Sequence, residues 1–310
     1  MGKWIVAALM AMGAGSPALA QADAFGKGMD TMWEVLWHQS GAPTRLLRWE
    51  QDLKVNVSGE NAALHRPQML AALRAAASHA GLKVVDVTDA ADAAAQANVH
   101  VQIQPDHALS DEQPCETRLK FEDETLIQGA TLQVREADAA RCAHHEAMHV
   151  MGVRGHPEGE TVLSYFATHV DRLLPLDQAM LRAWYSPRAR AGMTPFEVLP
   201  ILADELARTL PDRQQALRDR DAFLARTVNE MQAFADGKGD VPAIVRQSGK
   251  FSDAGIRYGR MEMSFFLGVA YLEGTCVPRD PARAAHWLQR AVALGSRPAQ
   301  ARLGAARAAG

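Results

Sequence analysis

The chain has 310 residues, enough for about two domains, and its 48% hydrophobic and 22% charged content is that of a globular protein, not a disordered or collagen-like one. With 33 Lys and Arg against 36 Asp and Glu, the formal charge of −3 excludes the basic footprint of a nucleic-acid-binding protein. Three cysteines are too few for a disulfide scaffold, and the odd number leaves at least one unpaired within the chain.

Lys3, the apolar run 4–12 and Ala18-Leu19-Ala20 before Gln21 have the form of a cleaved signal peptide, residues 1–20. That run is too short to cross a bilayer, and no transmembrane segment follows. Export places the chain in the bacterial periplasm or medium, where disulfides form. Residues 21–47 carry no clean period. Strands are expected at 53–57, 82–87, 99–103 and 125–134, where apolar and polar residues alternate or Val clusters. A helix is expected over 65–80, ended by Gly81, and a short helix or turn over 90–97. Pro105, Pro114 and dense charge make 105–120 a loop. Asp138 can cap a helix over 139–151, which Gly152 ends. Beyond Pro175 the pattern is helical, with helices at 177–184, 194–210 and 212–235 and a linker over 237–249. The fold class is α+β, a small mixed sheet with a site-bearing helix, followed by an all-α region.

The sharpest motif is His145-Glu146-Ala147-Met148-His149. Positions i and i+4 share one helix face, so two imidazoles there can chelate one Zn²⁺ while Glu146 serves as general base toward an activated water. Five of the eleven histidines fall at 144, 145, 149, 156 and 169, a clustering that a solvated helix face has no reason to show. Catalytic zinc needs a third protein ligand and an open position. His156 is the first candidate, because Gly152 allows a sharp turn and Gly155 a close approach to the metal. His169, Glu158, Glu160 and Asp171 are the alternatives. Cys115 and Cys142 are the natural disulfide pair and leave Cys276 alone.

His145-Glu-x-x-His149-x-x-Gly152 with a nearby histidine resembles the metzincin metalloproteases, although His156 stands one residue later than in their pattern. Thr161-Val162-Leu163-Ser164-Tyr165 is similar to their Met-turn, with Leu163 in the place of Met. The resemblance implies an apolar floor at Leu163. It also implies that Tyr165 ligates zinc or stabilises the oxyanion, and a core aromatic is the other reading of that residue. Residues 48–195 also resemble the bacterial DUF2927 family of exported zincin-like proteins, through Cys142, Val162-Leu163-Ser164-Tyr165, Leu181-Arg182-Ala183-Trp184-Tyr185-Ser186-Pro187 and Gly192-Met193-Thr194-Pro195. These resemblances imply a zinc hydrolase acting on a peptide or protein substrate.

Residues 265–304 resemble a Sel1-like repeat, a tetratricopeptide relative, through Leu267-Gly268, Tyr271, Gly274, Asp280, Ala284, Trp287, Ala291 and Gly295. About one and a half units must pack on the 196–250 helices or on a partner. The repeat is therefore either a protein-binding surface or a helical cap. The expected division is a signal peptide (1–20), a zincin-like metalloprotease domain (21–195), a helical connector (196–250) and a Sel1-like region (251–310). The competing function is a non-catalytic envelope adaptor with structural zinc.

Overall fold

The computed structural model describes residues 17–37, 41–167, 170–247 and 252–308. Residues 1–16 of the expected signal peptide lie outside the described residues, and 17–20 open the first helix, α1 (Pro17–Val35). A five-stranded mixed sheet follows, with its helices interspersed: β1 (Leu53–Gly59), α2 (Ala62–Ala80), β2 (Val84–Asp86), α3 (Ala93–Gln96), β3 (Val99–Gln104), β4 (Cys115–Glu122) and β5 (Leu126–Arg135). The strand order is β2-β1-β3-β5-β4, and only the β4–β5 pair is antiparallel. Val55, Val57, Val99, Val101, Leu132 and Val134 are buried at alternate positions, so the period-2 pattern is the core face of the sheet. α2 and α4 (Ala139–Val150) lie side by side against the sheet.

Three elements depart from the expectation, the first being a five-residue helix, Ala243–Gln247, inside the expected linker 237–249. Residues 115–120, the end of the expected loop, belong to the edge strand β4. Arg118, Lys120 and Glu122 are exposed while Thr117, Leu119 and Phe121 are half-buried, so charge on the outer face hides the alternation, as is common at sheet edges. The stretch without a clean period contains most of α1, which buries Phe25, Met29, Met32 and Trp33 at i, i+4, i+7 and i+8, an apolar stripe that the small residues Gly26 and Gly28 and the polar Thr31 break up in the sequence.

The rest is helical: α5 (Pro175–Trp184), α6 (Pro195–Thr209), α7 (Arg213–Asp236), α8 (Ala243–Gln247), α9 (Asp253–Glu273), α10 (Pro281–Ala293) and α11 (Arg297–Ala308). Among the described residues no helix is long and apolar enough to cross a membrane. α9 and α10 form a hairpin. Gly274 ends α9 at φ 75°, Asp280 caps α10 by accepting from the Arg283 amide, and Gly268 lies where a Cβ would press on Leu288. The hairpin packs on α6 and α7, where Gln232 donates to the Tyr271 hydroxyl (2.7 Å) and Arg290 to the Ala235 carbonyl (2.8 Å). Cys276, the free cysteine, meets the Phe196 carbonyl, and burial pushes its thiol up to about 12.

Asp204 binds Arg188 and Arg220, each at 2.6 Å, and Glu205 binds Arg182 (2.6 Å) and Arg208 (2.7 Å), which ties α6 to its neighbours. Burial raises both carboxyl pKa values, but the arginine hydrogen bonds and charges together outweigh it and hold both below the usual range. A lowered folded-state pKa means stability that is fully present above the unfolded value near about pH 4 and lost as pH falls through the lowered value. The Asp204→Asn/Glu205→Gln chain is expected to be less stable at pH 6 by about 1 kcal/mol per carboxylate after solvent screening. Thermal melting from pH 6 to pH 2 should show that gap closing. A gap independent of pH would assign it to packing instead.

Candidate metal centre

α4 carries the H-E-x-x-H residues on the face turned toward β4, and its ends are fixed by other parts of the chain. Asp138, expected to cap it, makes no cap bond, because its carboxylate is taken by Arg135 (2.6 Å) and Arg141 (3.2 Å). Cys142, near the helix start, is disulfide-bonded to Cys115 at the start of β4, a cross-link worth about 3 kcal/mol for a loop of this length. At the other end, two side chains satisfy terminal carbonyls. Trp49 Nε1 donates to the Val150 carbonyl (2.7 Å) and the Tyr185 hydroxyl to that of Met151 (2.9 Å). Gly152 then turns the chain at φ 90°, where a Cβ would overlap the Leu47 carbonyl.

That turn brings the Val153 carbonyl back to accept from His149 Nδ1 (2.6 Å), while the Val162 carbonyl accepts from His145 Nδ1 (2.8 Å). Both histidines are thereby held with Nδ1 protonated and Nε2 bare. His149 Nε2 stands 3.1 Å from His145 Nε2 and 3.0 Å from His156 Nε2. Burial lowers the His145 pKa and keeps that ring neutral. Two bare lone pairs at 3.1 Å repel, and a cation between them removes the repulsion. Three nitrogens bound about 2 Å from one tetrahedral ion stand a little over 3 Å apart; the two pairs made by His149 have that spacing, and all three donor nitrogens lie within 4.8 Å of one another, a set that could hold a metal ion.

His156 is thus brought to the pair as expected, but the close approach made by Gly155 is to α1 and not to the metal. Its amide donates to the Val35 carbonyl (3.1 Å), and a Cβ would overlap that backbone. Of the alternatives, Glu158, Glu160 and Asp171 are exposed and do not join the cluster, and His169 lies outside the described residues. His144, the remaining histidine of the clustered five, turns to the Val170 backbone.

Glu146 is 2% exposed and accepts from the Thr117 hydroxyl at 2.6 Å. Burial pushes its carboxyl up to about 7. The Thr117 hydrogen bond opposes that rise and Glu116 adds to it. Tyr165 is no core aromatic. It is 72% exposed, with its ring parallel to that of His156 at 4.4 Å. Leu163 is fully buried, whereas Val162 lines the cavity. That cavity, about 660 Å³, is walled by residues 110–117 on one side and by Ser164, Tyr165 and Ala167 on the other, with the three histidines and Glu146 between.

Sequence reasoning missed Thr117 and Asp177. Thr117 lay in the expected loop. Asp177 is fully buried and accepts from the Leu174 amide (2.8 Å), the Val162 amide (3.3 Å) and the Thr161 hydroxyl, so it fixes the segment whose carbonyl orients His145. Its only signal is a carboxylate three residues into a Pro-initiated helix.

The Sel1 repeat model matches residues 262–296. The Sel1 repeat thus comprises the second half of α9, the turn at Gly274 and α10, the hairpin packed on α6 and α7. No zincin or DUF2927 family model matches the chain, so that resemblance rests on the sequence motifs alone. No curated protein and no solved structure matches it.

Proposed function

We propose that the chain is an exported zinc metallopeptidase in which His145, His149 and His156 hold Zn²⁺ and Glu146 is the general base. The observation that carries this reading is the convergence of three Nε2 atoms beside a buried carboxylate on an open cavity. Zinc there supplies Lewis acidity, acidifying a water molecule and polarising a peptide carbonyl. The Val162 and Val153 carbonyls keep two of the ligand imidazoles in register. Glu146 takes a proton from water and returns it to the leaving amine, and Thr117 holds it in position. Tyr165, which lines the cavity, is the donor to the developing oxyanion in this reading. β4 pairs with β5 on one side only, so an extended peptide substrate can lie along its other edge.

Three histidines without a fourth side chain, among the described residues, favour catalysis over the adaptor reading with structural zinc. The Sel1 repeat supports a protein partner in either case. The Cys115–Cys142 bridge supports a periplasmic or secreted location. The zinc-loaded chain is expected to cleave unfolded β-casein, to lose that activity to phenanthroline and to regain it with zinc. Intact casein after prolonged incubation with the zinc-loaded chain would contradict the reading.

A further inference from the structure

A second cavity, about 390 Å³, opens between the segment leading into α6 and the helices α9 and α11. Three arginines from distant parts of the sequence line it: Arg45 after α1, Arg190 between α5 and α6, and Arg302 on α11. Arg45 lies over the ring of Phe265, 5.1 Å from its centroid, and Phe265, Val269 and Met193 supply apolar surface. Glu197 is the one carboxylate of the lining, and it is occupied by the Thr194 amide at 2.7 Å. Arg302 also reaches Glu273 at 3.3 Å, an exposed pair that exchanges readily.

In a chain whose formal charge is −3, three guanidinium groups gather around one cavity, and two of them have partners outside it: Arg45 faces Glu262 on α9 and Arg302 pairs with Glu273. Arg190 has no carboxylate partner among the described residues, and guanidinium is the donor group best matched to a carboxylate. A bare inorganic anion leaves the apolar surface wet, whereas a carboxylate beside an apolar side chain covers both. The volume is within the range of about 300–1,000 Å³ usual for ligand sites.

We infer that this cavity is a second binding site, taking an acidic peptide segment of a partner protein in which a carboxylate is flanked by an apolar side chain. One wall belongs to the repeat and the other to the 190–197 segment. The site is independent of the metal centre, so it stands or falls separately from the peptidase reading.

The test uses the full chain carrying Glu146→Gln, so that the probe is not consumed. The probe is a short fluorescein-labelled peptide of alternating leucine and glutamate, followed by anisotropy. Binding is expected, weakened by about tenfold or more in Arg190→Glu/Arg302→Glu, less so in Arg190→Gln/Arg302→Gln, and with a glutamine-containing probe. Both arginines are exposed, and melting curves confirm that the variants fold. No binding, binding undiminished in the double variants, or displacement of the probe by an equal concentration of inorganic phosphate would each overturn the inference.

Discussion

Replacing Glu146 by Gln is expected to lower kcat on a peptide substrate by about 10²–10⁴-fold, the usual contribution of a general base, while zinc content and thermal stability hold. Gln keeps an oxygen to accept from Thr117 and the same volume in a site that is 2% exposed. It cannot take up a proton. The carboxylate is costly to bury, and its pKa of about 7, raised chiefly by that burial, reflects this cost. A neutral isostere therefore loses no folding stability and can gain some. Steady-state kinetics on one fluorogenic peptide, with zinc measured on the same samples, checks the claim. A Glu146→Gln chain that turns over at more than half the wild-type rate would show that this carboxylate is not the base.

The second large effect is expected at Asp177, which touches no ligand of the metal. Its carboxylate joins the start of α5 to the Thr161–Val162 segment, and the Val162 carbonyl orients His145. Asp177→Ala leaves the Thr161 hydroxyl and the Leu174 and Val162 amides buried without an acceptor. At about 1–3 kcal/mol for each orphaned group, the net loss is expected near 4 kcal/mol, below the plain sum because the site relaxes. Asp177→Asn keeps the shape and part of the accepting capacity, so it should fold with a smaller loss. Its zinc affinity should still fall by about 10–100-fold, the usual effect of losing an outer partner of a metal ligand. Unchanged zinc affinity in a folded Asp177→Asn chain would confine Asp177 to structural support and break the proposed link to His145.

What could be read from the residues was local. The i, i+4 histidines, the Gly152 turn and His156 lie within twelve residues, and their spacing alone brings them together. The alternating valines of β1 and β3 and the Asp280-Pro281 start of α10 are likewise signals carried within one element. The disulfide was legible because two of only three cysteines flank the metal helix and the strand beside it.

The parts that hold the site in place were not legible, because they act across long separations. Trp49 and Tyr185 close the end of α4 from opposite sides of the motif in sequence. Gly155 and Gly159 are small because α1 lies against them, at Val35 and Thr31. β4 was hidden by the charges of an edge strand, and Thr117 was hidden with it. The second cavity could not be foreseen, since Arg45, Arg190 and Arg302 meet only once α9 and α11 are folded back on the segment before α6.

The central claim is that three histidines hold a zinc ion with a position left open, and zinc K-edge absorption on the full chain, paired with metal titration of His156→Ala, tests it most directly. The expected result is one zinc per chain with three imidazole nitrogens and one exchangeable light ligand, all at about 2.0–2.1 Å, and a loss of affinity of at least tenfold in His156→Ala. A chain that binds no zinc, or whose zinc affinity is unchanged in His156→Ala, would contradict it.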